Sequence, residues 1–187
     1  MKLSKVKRIC KSAMQLTLID IDQPENMVLQ WIGTTMAMYP IHGTRLSLGA
    51  FRAMWDLTEL EMNAMQEIPA MADLEVLKRA PGLIDKDALP WRGVANLDGY
   101  LAVHDGEERI YYINDELLAP CRDGVLRIEM VHAGGEAWAL VYTDGELSGV
   151  IRPTDDTVVK NLQRTIDVLA GMEPWMRGGE ILPAGMR

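Results

Sequence analysis

The chain has 187 residues, 48% hydrophobic and 25% charged, which suits one domain with a sizeable buried core and excludes a disordered or low-complexity chain. Its formal charge is −8, yet residues 1–11 hold Lys2, Lys5, Lys7, Arg8 and Lys11 without one acid. Most of the surface is therefore expected to repel nucleic acid at long range, while one short segment attracts it.

In chain order, Ser4 is the expected cap of a helix running to about Ala13, with Leu3, Val6, Ile9, Cys10 and Ala13 as its apolar stripe. Lys2, Lys5, Arg8 and Lys11 recur every third residue and gather on another face, with Lys7 beside them. The stretch MQLTLIDI alternates as a strand, and Ile19 and Ile21 predict partial burial of its second face. Its polar interruptions at Gln15, Thr17 and Asp20, and the lack of a small-residue cleavage site, argue against a signal peptide. No run approaches the roughly 18 apolar residues of a membrane span, so no membrane partner is expected. A turn over Asp22–Asn26 leads into VLQWIGTTMAMYPI, read as strands Met27–Ile32 and Thr35–Tyr39 joined across Gly33-Thr34.

Residues 44–98 form one connecting region of short helices and loop. Ser47 caps a helix carrying Leu48, Phe51, Met54 and Trp55, and Thr58 with Glu61 makes a capping box for another through Gln66. AFRAMWDLTELEMNAM scans like a helix-turn-helix, but Glu59, Glu61 and Glu67 give its second helix the wrong sign for phosphates. Phe51, Met54, Trp55, Leu60 and Met65 are read as packing residues, with an exposed Met-rich patch as the alternative. Asp73 starts a third short turn, and Trp91 is the expected anchor of the loop over 80–99.

Tyr100–His104 and Glu108–Ile113 flank the hairpin signal Asp105-Gly106. Asn114 caps a short helix that Pro120 ends. VLRIEMV, AWALVY and ELSGVI follow as strands separated by turns at Ala133-Gly134-Gly135 and Thr143-Asp144-Gly145. Thr154 caps a last helix whose apolar face is Val158, Val159, Leu162, Ile166 and Leu169 and which Gly171 stops; Asp155 and Asp156 match its dipole better than they match a metal.

The order helix, strand, turn, strand, turn, strand, Pro occurs twice. Ser4 corresponds to Asn114, Cys10 to Cys121, the strand around Trp31 to that around Trp138, and Tyr39-Pro40 to Arg152-Pro153. With IYYINDELLAP, VLRIEM, AWALVY and ELSGVIRP as the closer copy, this order resembles the DNA sliding clamps that hold polymerases on their template. The N-terminal stretch, with LQWIG and AMYP, also resembles small proteins encoded in bacterial prophages.

The resemblance implies an α+β fold: two β-α-β-β-β units related by pseudo-two-fold symmetry, with a helical insertion between them and a C-terminal helix. On that reading one domain spans 1–187, divided into a first unit 1–43, the insertion 44–98, a second unit 99–154, the C-terminal helix 155–172 and a tail 173–187. Lys2 and Leu3 would supply a short opening strand. The unit helices would lie side by side, bringing Cys10 and Cys121 together. It further implies a non-enzymatic role, with Lys2, Lys5, Lys7, Arg8 and Lys11 facing the phosphates of double-stranded DNA or the domain engaging a replication or repair protein. The second helix departs from the clamp pattern, because Asp115, Glu116 and Asp123 outweigh Arg122. A ring would need several identical copies, so a homo-oligomer stays open. The alternative is an interaction or structural protein with no nucleic-acid role, in which the basic helix face is simply solvated.

No catalytic constellation stands out. His42, His104 and His132 lack metal-ligand spacing, and no phosphate-binding glycine loop or serine elbow is present, so neither enzyme activity nor a cofactor is expected. Lys7 and Lys11 near Cys10 would lower its pKa, but its place on the apolar stripe favours burial. Two cysteines without CxxC or zinc spacing fit reduced thiols in a cytoplasmic protein.

Overall fold

The first element, α1, covers Leu3–Ala13 in a computed structural model that describes residues 2–22, 28–64, 74–77, 96–97, 99–104, 110–133 and 135–154. Its N-cap is Lys2, which makes no side-chain cap bond, so Ser4 lies inside the first turn. The expected strand over Lys2 and Leu3 does not form. Lys2 O already accepts helical bonds from Lys5 N (3.0 Å) and Val6 N (3.3 Å), which leaves no length for a strand. Met14 ends the helix in the left-handed region at φ 52°, and Gln15 N–H returns to Cys10 O at 3.1 Å.

Strands β1 (Thr17–Asp22), β2 (Val28–Gly33) and β3 (Ala37–Ile41) form an antiparallel meander. The turn before β3 is longer than the sequence pattern suggests. Thr34 Oγ1 accepts from Met36 N (3.2 Å) and Ala37 N (3.3 Å), and Thr34 N–H donates to Ala37 O (2.8 Å). This small hydroxyl-capped loop takes Thr35 and Met36 out of the strand. Gly33 is required beside it, because a Cβ there would fall on the Ala37 carbonyl.

The connecting region holds α2 (Leu48–Met54), α3 (Glu59–Ala64) and α4 (Leu74–Leu77). Ser47 Oγ caps α2 by accepting from Ala50 N at 3.1 Å. Thr58 and Glu61 close a capping box, with Thr58 N donating to Glu61 Oε2 (2.9 Å) and Glu61 N to Thr58 Oγ1 (3.2 Å). Phe51 and Trp55 pack edge to face in the core, whereas Met54 is 49% exposed and Leu60 81% exposed. The last two are therefore not packing residues, since each falls on the solvent side of its short helix. Met65, Trp91 and the Asp105-Gly106 turn lie outside the described residues, as do 155–187 with the expected C-terminal helix and tail.

Strands β4 (Asn96–Leu97), β5 (Tyr100–His104) and β6 (Ile110–Asn114) form a separate three-stranded antiparallel sheet. Asn114 Oδ1 accepts from Glu116 N at 2.9 Å and starts α5 (Asp115–Leu118), which tightens into a 3₁₀ turn over Ala119–Cys121 at Pro120. A second meander follows: β7 (Leu126–Ala133), β8 (Glu136–Thr143) and β9 (Glu146–Ile151). Asp144 (φ 51°) and Gly145 (φ 92°) both adopt positive φ, which a two-residue hairpin of this twist needs.

The two meanders join into one six-stranded antiparallel sheet of order β1-β2-β3-β9-β8-β7. β3 and β9 meet through Ala37↔Ile151 and Met38↔Val150, and Arg152 N donates to Met36 O at 2.8 Å. Pro40 lies beyond this short ladder, where its missing N–H leaves no β9 partner unmatched. The fold is α+β.

Apolar clusters cover both faces of the sheet. On the helix side, Val6, Ile9 and Cys10 of α1 pack with Ile32, Tyr39, Ile128, Val141, Ile151, Leu118 and Cys121. On the other side, Ile21, Trp31, Met38, Trp138, Leu140 and Val150 pack with Val76 and Leu77 of α4. Burial on both faces explains why WALVY and AMYPI read as continuous apolar runs. Ile21 turns to the second face, as its place in the alternation predicts. Residues Met1–Pro153 form one compact unit, and Thr154–Arg187 is a second.

Candidate nucleic-acid interface

The basic segment is helical, and its inner side is fixed by burial. Val6 and Cys10 are fully buried and Ile9 nearly so, while Leu3 is half-buried and Ala13 exposed. The apolar stripe is thus shorter than predicted, ending before the last residue of α1. Its neighbour across the core is the 3₁₀ turn, against which α1 packs. Lys2 N–H donates to Pro120 O at 3.1 Å.

The five cations divide into two groups. Lys2 Nζ pairs with Asp123 Oδ1 at 2.5 Å, Lys5 Nζ donates to Ala119 O at 2.8 Å, and Lys11 Nζ pairs with Glu61 Oε1 at 2.6 Å. Lys7, half-buried, and Arg8, exposed, have no intramolecular partner among the described residues. The acids respond to their partners. Hydrogen bonding from Lys11, then from the Thr58 N–H, lowers the Glu61 carboxyl from 4.5 to about 2. Hydrogen bonding from Lys2 lowers Asp123 as well. None of these internal partners is near its cation in sequence, which is why a reading of spacing alone places all five lysines and arginines together on open surface.

The second helical segment presents no comparable face. Arg122, its one base, is engaged by Asp115, and Asp115 and Glu116 occupy the first turn of α5. Of the two helical segments, only α1 carries cations without a partner among the described residues.

The two thiols are core groups. Cys10 Sγ donates to Gly33 O (3.7 Å) and Cys121 Sγ to Ser148 O (3.3 Å), and burial pushes both up to about 12. Desolvation is what shifts Cys10, so the thiolate is disfavoured. Burial first, then the neighbouring Cys121 and Cys10, raises the Tyr39 hydroxyl well above its ordinary value, and that hydroxyl donates to Leu117 O at 2.6 Å.

A surface depression of about 460 Å³ lies elsewhere, lined by Leu18, Asp20, Gln30, Arg45, Leu46 and Ser47. Its polar groups are already matched. Gln30 Nε2 donates to Asp20 Oδ1 (2.9 Å) and Leu46 O (3.0 Å), Gln30 Oε1 accepts from Leu46 N (2.8 Å), and Arg45 pairs with Asp20. Buried Gln30 thereby pins the chain between β3 and α2, a role with no motif to announce it. His42 and His132 are exposed, the latter 3.3 Å from Tyr111 Oη. Among the described residues no group of three or more His, Cys, Asp or Glu is placed to hold a metal, and no helix is long and apolar enough to cross a membrane.

No family model, curated protein or solved structure matches the chain.

Proposed function

We propose that this chain is a non-enzymatic binding domain of clamp-like architecture, which contacts double-stranded DNA weakly through α1 and works beside a replication or repair protein. The observation that carries this reading is the junction of β3 and β9. Two three-stranded meanders, each preceded by a helical segment, meet antiparallel through their last strands. On this reading, a two-fold axis through that short ladder would exchange Met38 with Ile151 and Tyr39-Pro40 with Arg152-Pro153. The contact between α1 and the 3₁₀ turn agrees with the same axis. The halves differ at their start, since β6 precedes α5 whereas the described residues form no strand ahead of α1.

Weak DNA contact follows from the charges. Lys7 and Arg8 are the α1 cations with no partner among the described residues, and two phosphate contacts give a logarithmic salt slope of about −1.8. Anisotropy titration of a labelled duplex across a salt series tests this. Lys7→Glu with Arg8→Glu is expected to abolish the binding, and retained binding would contradict the reading.

A second reading, a protein-interaction domain with no nucleic-acid role, is favoured by Met54 and Leu60, exposed on α2 and α3. It predicts no salt-dependent DNA binding, and a loss of partner capture on Leu60→Ser.

A further inference from the structure

We propose that Glu61 is an internal competitor for the DNA-facing side of α1, holding Lys11 away from phosphate so that the wild type meets a duplex through Lys7 and Arg8. The inference rests on the DNA reading given above and adds a regulating contact to it. Lys11 lies four residues beyond Lys7 and three beyond Arg8, the spacings at which helix side chains are surface neighbours. Released, it would join them in one three-cation cluster on consecutive turns. In the structure its ammonium is instead 2.6 Å from Glu61 Oε1 of α3.

The carboxylate is organised so that it can lose Lys11 without uncapping α3. Its other oxygen, Oε2, accepts from Thr58 N (2.9 Å) and Thr58 Oγ1 (3.2 Å), and these bonds belong to the capping box. Thr58 therefore holds an anion in place beside Lys11, whichever partner Lys11 takes. The ion pair is at the surface, with side-chain exposures of 35% and 36%, and exposed pairs of this kind are weak. Once Glu61 is neutralised, a row of phosphates offers Lys11 the same chemistry in larger number, together with counterion release.

The test compares affinities for one short duplex at several salt concentrations. Glu61→Gln keeps the capping box, which accepts Gln as well as Glu, and removes the competing charge. It is expected to bind about threefold tighter or more, with the salt slope steeper by about 0.9. Asp22→Asn, the same charge change at the far end of β1, is expected to shift affinity less than about twofold. Adding Lys11→Gln to Glu61→Gln is expected to remove the gain. Equal affinities for Glu61→Gln and Asp22→Asn, or a gain that survives Lys11→Gln, would overturn the competitor role while leaving the DNA reading intact. Absence of binding by the wild type and by Glu61→Gln alike would overturn both.

Discussion

Each meander is led by a helical segment that delivers one cysteine to the same core, Cys10 from α1 and Cys121 from the 3₁₀ turn after α5. Beyond that shared role the two segments diverge. α1 runs for eleven residues, carries cations and ends at a left-handed Met14; α5 has four residues, begins with two acids and is cut short at Pro120. The contrast separates what packing requires from what the surface is free to vary. The core needs a small, soft side chain at each of the two places beside Tyr39, and either helix length supplies it. Charge is under no such constraint, and of the two leading segments only α1 carries cations without a partner among the described residues.

The largest expected effect comes from the residue between the two halves. Tyr39→Ala removes a buried ring and its bond to Leu117 O, at a cost of about 3–5 kcal/mol by urea denaturation. A single transition monitored at tryptophan and by backbone circular dichroism would show the meanders unfolding together. Separate transitions would show them to be independent.

The glycines sharpen the contrast next. Gly33→Ala drives a methyl onto backbone at Ala37, with an expected loss of about 3 kcal/mol, whereas Gly149→Ala meets Cys121 Sγ at 3.1 Å and Tyr39 Cδ1 at 3.2 Å. Side chains yield more readily than backbone, so about 1–2 kcal/mol is expected at Gly149. Cys121→Ala should make the Gly149 change less costly than the sum of the two, as a double-mutant cycle would record. The short second helix depends on its cap, and Asn114→Ala should lower stability by about 1 kcal/mol.

The smallest effect is a pH dependence belonging to the first half. The folded Glu61 carboxyl, at about 2, lies below its ordinary 4.5. Its stabilising contribution is therefore complete above pH 4.5 and is lost as pH falls toward 2. Thermal melts across that window should show Glu61→Gln with a shallower acid loss than the wild type; parallel curves would mean that Lys11 does not hold this carboxylate in solution.

Four caps and turns were legible because their chemistry is local: Ser47, Thr58 with Glu61, Asn114 and Asp144-Gly145 each act within a few residues of themselves, whereas the expected cap Ser4 lies inside the first turn of α1. The six main strands were legible as alternating or continuous apolar runs bounded by turns, and the α+β class was what the clamp resemblance implied. The start of β3 was not legible, since a pattern of apolar residues does not register that Thr34 Oγ1 captures two N–H groups. Nor was the separation of β4, β5 and β6 into their own sheet, which is a matter of long-range pairing. At the candidate site the sequence identified the cations but not their partners. Glu61 reaches Lys11 from 50 residues away, and Asp123 reaches Lys2 across most of the unit. Helical spacing shows where a charge can point and says nothing about what already stands there.

The most direct measurement is the salt dependence of duplex DNA binding by the full chain and by its Lys7→Glu, Arg8→Glu variant. Binding through Lys7 and Arg8, which have no partner among the described residues, predicts a wild-type slope of about −1.8, with binding lost in the variant. A wild type that does not bind, or a variant that binds with the same slope, would contradict the assignment of α1 as the DNA-facing element.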